Sequence, residues 1–263
     1  MRLCLTLDVE RPLTLPIDHY PLLRGAVYRM LGQGNPELAA SLHEDGYALP
    51  SKDGEVGTDT RRYKLFNFSL LRIPKTRRRF AGDRIHIAPG LVQWFISSPR
   101  EDFLRAEIDG LLQSQNGVVV GDARLPLVSL EALPPPVLQE TQRFSCLTPL
   151  VAAVPSPDRP TPYYLRPTDG ERFSEAIRQN LLRKHQILHD ALPADTVLTL
   201  TFDPAYLERD KHNGTKKATL GPIDVVGAFA PFTLSGSTAL MQTAYDCGIG
   251  QLNASGFGMI ALL

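Results

Sequence analysis

Two side chains, a basic block and a run of glycines could carry chemistry in this chain of 263 residues. His43 falls in the last turn of a short helix expected to open at Asn35-Pro36-Glu37, with Asn35 as N-cap, Pro36 at the first helical position and Gly46 as its stop. An imidazole titrates near neutral pH and can give or take a proton. At a helix end it can equally hold the orphan carbonyls of the last turn. Tyr28 lies in an expected helix over residues 20–31, where Leu22, Leu23, Ala26, Val27, Met30 and Leu31 form one apolar stripe. At 3.6 residues per turn its ring points about 150° from the centre of that stripe, so it needs a partner outside its own helix's core face.

Between residues 61 and 84, nine Arg or Lys stand against one acid, Asp83. They include Arg61, Arg62, Lys64 and the tight run Lys75, Arg77, Arg78 and Arg79, expected at a β-hairpin tip. Lys211, Lys216 and Lys217 form a smaller cluster around Gly214. Such clusters contact phosphates, with salt-dependent affinity and no reading of sequence. The whole chain balances 28 basic against 28 acidic residues, which excludes a globally basic coat and leaves a local patch to hold any polyanion.

Gly248, Gly250, Gly256 and Gly258 fall within eleven residues, with Asn253 between the two pairs. A helix is expected before this run and a strand after it, the reverse of a dinucleotide fingerprint, and Asn253 occupies that motif's sixth position. No Lys-Ser or Lys-Thr follows, so a P-loop is excluded too. Two readings remain: a loop whose amides face an anionic backbone, or a tight turn that lets helix and strand pack. His185 and His189 are four apart on an expected helix but lack a following Glu or a third ligand, so no metal site is expected. Trp94 reads as core.

The elements that position these groups repeat once. Residues 3–7 alternate as a strand; helices over 20–31 and from 35 follow, then strands over 63–71, 84–87 and 91–96. A Ser98-Pro99-Arg100-Glu101 capping box opens a helix, and strands over 118–120 and 124–130 close the unit. After Pro134-Pro135-Pro136 the pattern returns: strand 144–154, helix 169–188, strand 197–202, a strand pair across 218–234, helix 237–246 and strand 257–262. The expectation is an α+β protein of two tandem ferredoxin-like (βαββαβ) domains, 1–133 and 143–263, joined by a Pro-rich linker over 134–142. With 43% hydrophobic and 21% charged residues the chain reads as globular. Its first residues are too soon charged for a signal peptide, and no apolar run reaches the roughly 18–20 residues that span a bilayer. Three separated cysteines fit a reducing cytoplasm.

The run 244–259, carrying Gly248, Gly250, Asn253, Gly256 and Gly258, resembles the C-terminal signature of the CRISPR-associated endoribonucleases that process precursor CRISPR RNA. Residues 144–151, the stretch Asn180-Leu181-Leu182-Arg183-Lys184-His185, and residues 42–47 and 64–69 are similar to other parts of that family, in the right order along nearly the whole chain. The resemblance implies cleavage within the repeats of a long transcript, without metal or cofactor, leaving a 2′,3′-cyclic phosphate and a 5′-hydroxyl. It implies His43 as acid or base, Tyr28 as a group that positions or donates, and a cation, for which Lys52 is chosen and Lys64 stands second. The glycine loop and the basic residues would hold RNA. A non-catalytic RNA-binding subunit of a CRISPR effector complex is the alternative. Whether the chain dimerises or joins other effector-complex subunits stays open at this stage.

Overall fold

The computed structural model describes residues 1–49, 61–115, 117–156 and 161–263. The first half runs β1 (Arg2–Val9), β2 (Leu13–Pro16), α1 (Tyr20–Gly34), α2 (Pro36–Glu44), β3 (Asn67–Phe68), β4 (Arg78–Ala81), β5 (Arg84–Ile87), β6 (Gly90–Ser97), α3 (Glu101–Gln113), β7 (Gly117–Val120) and β8 (Ala123–Leu133). Its main sheet is antiparallel in the order β3-β6-β1-β8-β7. Read from β8, the fourth strand of the motif lies beside the first, the first beside the third and the third beside the second. That is the ferredoxin-like order, with β7 added at one edge.

The second half runs β9 (Thr141–Cys146), β10 (Ala153–Val154), β11 (Tyr163–Tyr164), α4 (Gly170–His189), β12 (Leu198–Phe202), α5 (Pro204–Arg209), β13 (Thr215–Leu220), β14 (Ile223–Ala228), β15 (Phe232–Gly236), α6 (Thr238–Cys247) and β16 (Ile260–Leu262). Its sheet, β12-β15-β9-β16, repeats the same order. The tandem ferredoxin-like architecture expected from the hydrophobic pattern is therefore present. Trp94 is fully buried in β6, its indole N–H donating to the Ser69 carbonyl at 2.9 Å. The three prolines lie outside regular structure, between the end of β8 and the start of β9.

Several local expectations change: the strand over 63–71 is reduced to Asn67–Phe68, the strand over 144–154 ends at Cys146 with Ala153–Val154 in a separate sheet, and four further elements differ. The strand at 84–87 leaves the main sheet and joins β2 and β4 in a separate three-stranded sheet. The basic run is not at a hairpin tip. Residues Lys75–Arg77 form a 3₁₀ turn leading into β4, and the β4–β5 tip is Gly82-Asp83. Ser98 is no helix cap: its hydroxyl donates to the Leu65 carbonyl (2.9 Å) and accepts from Arg100 N–H (3.1 Å), while the helix starts at Glu101. Phe257 precedes the last strand, which begins only at Ile260; its ring stacks on Tyr20 of α1, centroids 4.5 Å apart.

That stack belongs to a small apolar cluster (Tyr20, Val151, Ala218, Val225 and Phe257) drawn from both halves. A second fastening lies at the chain start. The Met1 ammonium meets Asp246 Oδ1 at 2.8 Å, and the buried Arg2 guanidinium donates to the carbonyls of Ile260 (2.8 Å) and Tyr245 (2.9 Å) while lying 3.8 Å from the centre of the Tyr245 ring. Gly256 sits at the joint with φ +90°, where an added Cβ would stand 2.7 Å from the Phe68 ring and 2.9 Å from that of Tyr20. Gly256→Ala is expected to lower unfolding free energy by about 1–3 kcal/mol through overpacking, plus the left-handed backbone penalty, read by urea denaturation.

Candidate active site

Helix α2 exists because Asn35 Oδ1 accepts from Leu38 N–H at 3.0 Å and Pro36 occupies its first turn. It delivers His43 to its last turn with the imidazole exposed. Tyr28 finds the partner its orientation demanded: its ring meets that of His43 edge-on at 5.6 Å and that of Phe66 at 6.0 Å. Lys64, on the segment entering β3, closes the group. Its ammonium donates to Tyr28 Oη at 3.0 Å and to the backbone carbonyl of His43 at 3.1 Å. The lysine thus caps the C-terminal end of α2 while holding the phenol.

Burial raises the Tyr28 hydroxyl to about 12, opposed by the nearby Arg24 charge, so the phenol keeps its proton across the physiological range. Burial first, then Arg24, lowers the Lys64 ammonium from its ordinary value. Arg24 is a residue the sequence reading missed. It stands one turn before Tyr28 on the same off-core face of α1, and its guanidinium reaches Ser255 Oγ at 3.4 Å. The i, i+4 spacing to Tyr28 was the signal that could have found it. Lys52, first choice for the cation, lies outside the described residues; Lys64, the second, lies against Tyr28 and the His43 carbonyl.

The glycine loop has a different geometry from the one expected. Gly248, Gly250, Gly256, Gly258 and Asn253 are all buried. The amides of Ile249 and Gln251 donate to Gly258 O and Val151 O, those of Gly256 and Gly258 to Asn253 O and Pro149 O, all within 2.7–2.8 Å. The Asn253 amide donates to the carbonyls of Ile249 (3.1 Å) and Phe257 (2.9 Å). These five residues were expected to touch RNA. In the structure each glycine has positive φ with protein atoms close to where a Cβ would stand, Gly250 and Asn253 line the neighbouring cleft, and Gln251, Leu252 and Ser255 lie along it as well. Lys184 of α4 holds the loop from beneath. Its ammonium, 3% exposed, donates to Gly248 O (2.7 Å), Gly250 O (2.9 Å) and Asn253 Oδ1 (2.6 Å). Burial lowers it to about 8.

Among the described residues, two of the clefts where the halves meet carry basic side chains from the clusters above. One, of about 300 Å³, runs between residues 61–66 and the outward lip of the glycine loop, with Lys64 in its wall. The other, of about 510 Å³, gathers Arg72, Lys75 and Arg78 from the first half and Lys216 from the second, with Asp18 as the acid among its described lining residues.

Two family models divide the chain between them: CRISPR-associated protein Cas6, N-terminal, over residues 14–127, and CRISPR associated protein Cas6, C-terminal, over residues 133–262. This chain belongs to the Cas6 family. It is 25% identical to the CRISPR-associated endoribonuclease Cas6 1 of Methanocaldococcus jannaschii, over 99% of this chain and 92% of that protein. It is 24% identical to the CRISPR-associated endoribonuclease Cas6 of Pyrococcus furiosus, over 96% and 85%. The solved structure of a Cas6-related gene product from Pyrococcus furiosus superposes with a TM-score of 0.80 at 20% identity, over 100% of this chain and 98% of that one.

On this Cas6 scaffold the basic residues divide by use. Lys75 and Arg78 from the first cluster converge with Lys216 on one cleft, near enough that Arg78 depresses the Lys216 ammonium after burial has done so. Arg61 and Arg62 line the other. The Arg77 guanidinium donates to the carbonyls of Pro89 and Leu91 at the start of β6. Arg79 is exposed on the opposite face of β4 from Arg78, and Lys217 pairs with Asp224 at 2.7 Å. His185 is engaged between α4 and α6, where its Nδ1 lies 3.2 Å from Thr243 Oγ1. Among the described residues no cluster of three metal-ligating side chains forms, and no helix is long and apolar enough to cross a membrane.

Lys184→Met leaves three buried acceptors without their donor. At about 1–3 kcal/mol for each unsatisfied group, the expected result is a loss of several kcal/mol in unfolding free energy, or failure to fold, read by thermal and urea denaturation.

Proposed function

We propose that this Cas6-family chain is a metal-independent endoribonuclease that cuts precursor CRISPR RNA within its repeats, using the RNA's own 2′-hydroxyl as nucleophile. The observation that carries this reading is the meeting of an exposed imidazole, a proton-retaining phenol and an ammonium at the end of α2. In the reaction the 2′-oxygen loses its proton to a base and bonds to phosphorus. The phosphorus–O5′ bond then breaks, and the departing oxygen takes a proton. The products are a 2′,3′-cyclic phosphate and a 5′-hydroxyl. Alignment of the nucleophile already within the substrate supplies much of the acceleration.

His43 moves the proton, its exposed imidazole being the general acid–base group of the three. The Tyr28 hydroxyl, with Lys64 donating into its oxygen, is free to donate its own proton towards a non-bridging phosphate oxygen. The Lys64 ammonium offsets charge on the phosphorane, the role first given to Lys52. Arg24 completes an electropositive rim on the side of Ser255. The flanking RNA is held by phosphate contacts from Arg61 and Arg62 in one cleft, and from Lys75, Arg78 and Lys216 in the other.

The direct test is incubation with the cognate repeat RNA in EDTA, beside the same RNA carrying 2′-deoxy at the cut. Cleavage of the first alone is expected. Tight binding without any cleavage would favour the alternative, a non-catalytic subunit of an effector complex. His43→Ala should slow single-turnover cleavage by about 10²–10⁴-fold with RNA affinity retained.

Lys64 works in its protonated form, and its environment lowers the pH at which that form is lost. Activity should therefore fall on the alkaline side below the pH at which an ordinary lysine titrates. Lys64→Arg, which stays charged, should move that alkaline limb upward.

A further inference from the structure

The cleft of about 300 Å³ between residues 61–66 and the glycine loop has features that holding a phosphate backbone does not require. At its base is Asn180 of α4, 9% exposed, whose Oδ1 has no hydrogen-bond partner within the protein. A buried amide oxygen without a donor is costly, which points to a donor supplied by a ligand. At its lip Leu252 is 39% exposed and held at φ +59°, a strained left-handed conformation for a residue with a branched side chain. An exposed apolar side chain kept there at a conformational cost offers a flat ligand something to pack on. Among the described residues lining the cleft none is acidic, and Lys64 is shared between its wall and the Tyr28–His43 group. The volume, at the small end of ligand-sized cavities, suits one base and excludes a duplex.

We infer that this cleft takes a single unpaired nucleobase from the nucleotide next to the cleaved phosphate. Leu252 packs on the ring, and Asn180 Oδ1 accepts from an exocyclic amine, so the site selects adenine, cytosine or guanine over uracil. The inference deepens the endoribonuclease reading and rests on it for the position of the base.

The test is a scan of single abasic substitutions across the cognate repeat RNA, made uncleavable by 2′-deoxy at the cut, with Kd as the readout and cleavage of the all-ribose RNAs measured in parallel. One abasic position beside the cut should weaken binding by about tenfold or more, the scale of one lost base contact. Replacing that base by uracil should recover part of the loss.

Leu252→Gly fits the observed φ without strain, so the fold is kept, as its Tm will report. In this variant the abasic penalty should shrink to about threefold or less. Asn180→Leu should abolish the preference for an amine-bearing base. The inference is overturned if no single position stands out, or if both variants keep the full penalty. Binding with a single sensitive position but no cleavage of any RNA would instead uphold the pocket and overturn the nuclease reading.

Discussion

One buried ammonium organises the C-terminal half of the site. Lys184 is inserted beneath a loop whose backbone turns back on itself, and it satisfies two carbonyls and an amide oxygen that would otherwise be stranded. Burying a charge is expensive unless it is paired or fully hydrogen-bonded, and three acceptors within 2.6–2.9 Å supply that compensation. The arrangement explains why glycines are needed. Carbonyls can converge on one point only if the chain takes several left-handed conformations in close succession, and at Gly250 and Gly258 a side chain would run into the backbone at Val151 and Ile249. With the loop so held, Leu252 and Ser255 are carried outward to face the first domain.

The candidate catalytic group obeys the complementary constraint on the other side of the seam. Tyr28 comes from α1, His43 from the end of α2 and Lys64 from the segment entering β3. None of the three helices or strands would bring them together alone. Packing of α1 and α2 against the core that contains Phe66 does so, and the Lys64 ammonium then ties the phenol to the His43 carbonyl in the last turn of α2. Arg24, extending from α1 to Ser255, links this group to the glycine loop. The site therefore depends on the docking of two domains, which the Tyr20–Phe257 stack and the Met1–Arg2 contacts hold in register.

Much of this was legible from residue types and spacing. Alternation at 3–7, the apolar stripe of α1, the Asn35-Pro36 start and the Gly46 stop are local signals, and each element formed where its chemistry placed it. Tyr28 was visible as an aromatic turned away from its own core stripe. Lys184 and Asn180 entered only within a stretch that resembles the family, and the structure places both on the buried face of α4 that also carries Phe173, Ile177 and Leu181. Less legible were positions where a residue type has two uses. The glycines read equally as an anion cradle or as a turn; Arg77 read as a phosphate contact and in the fold also donates to the carbonyls of Pro89 and Leu91; Ser98 read as a cap but fastens the chain near Leu65.

By itself the sequence determined the order of elements, the duplication of the ferredoxin-like unit and the presence of an imidazole at a helix end, because these follow from periodicity and capping over a few residues. Only the tertiary structure decided that Lys64 reaches the phenol, that Arg77 is held by the carbonyls of Pro89 and Leu91, and which side of the glycine loop faces the first domain. Those outcomes depend on partners separated by tens to hundreds of positions, as with Lys184 and Gly248 or Arg2 and Ile260. A hydrogen bond or a packed ring is satisfied by whatever atom the folded chain brings within about 3–4 Å, and no local pattern specifies which atom that is.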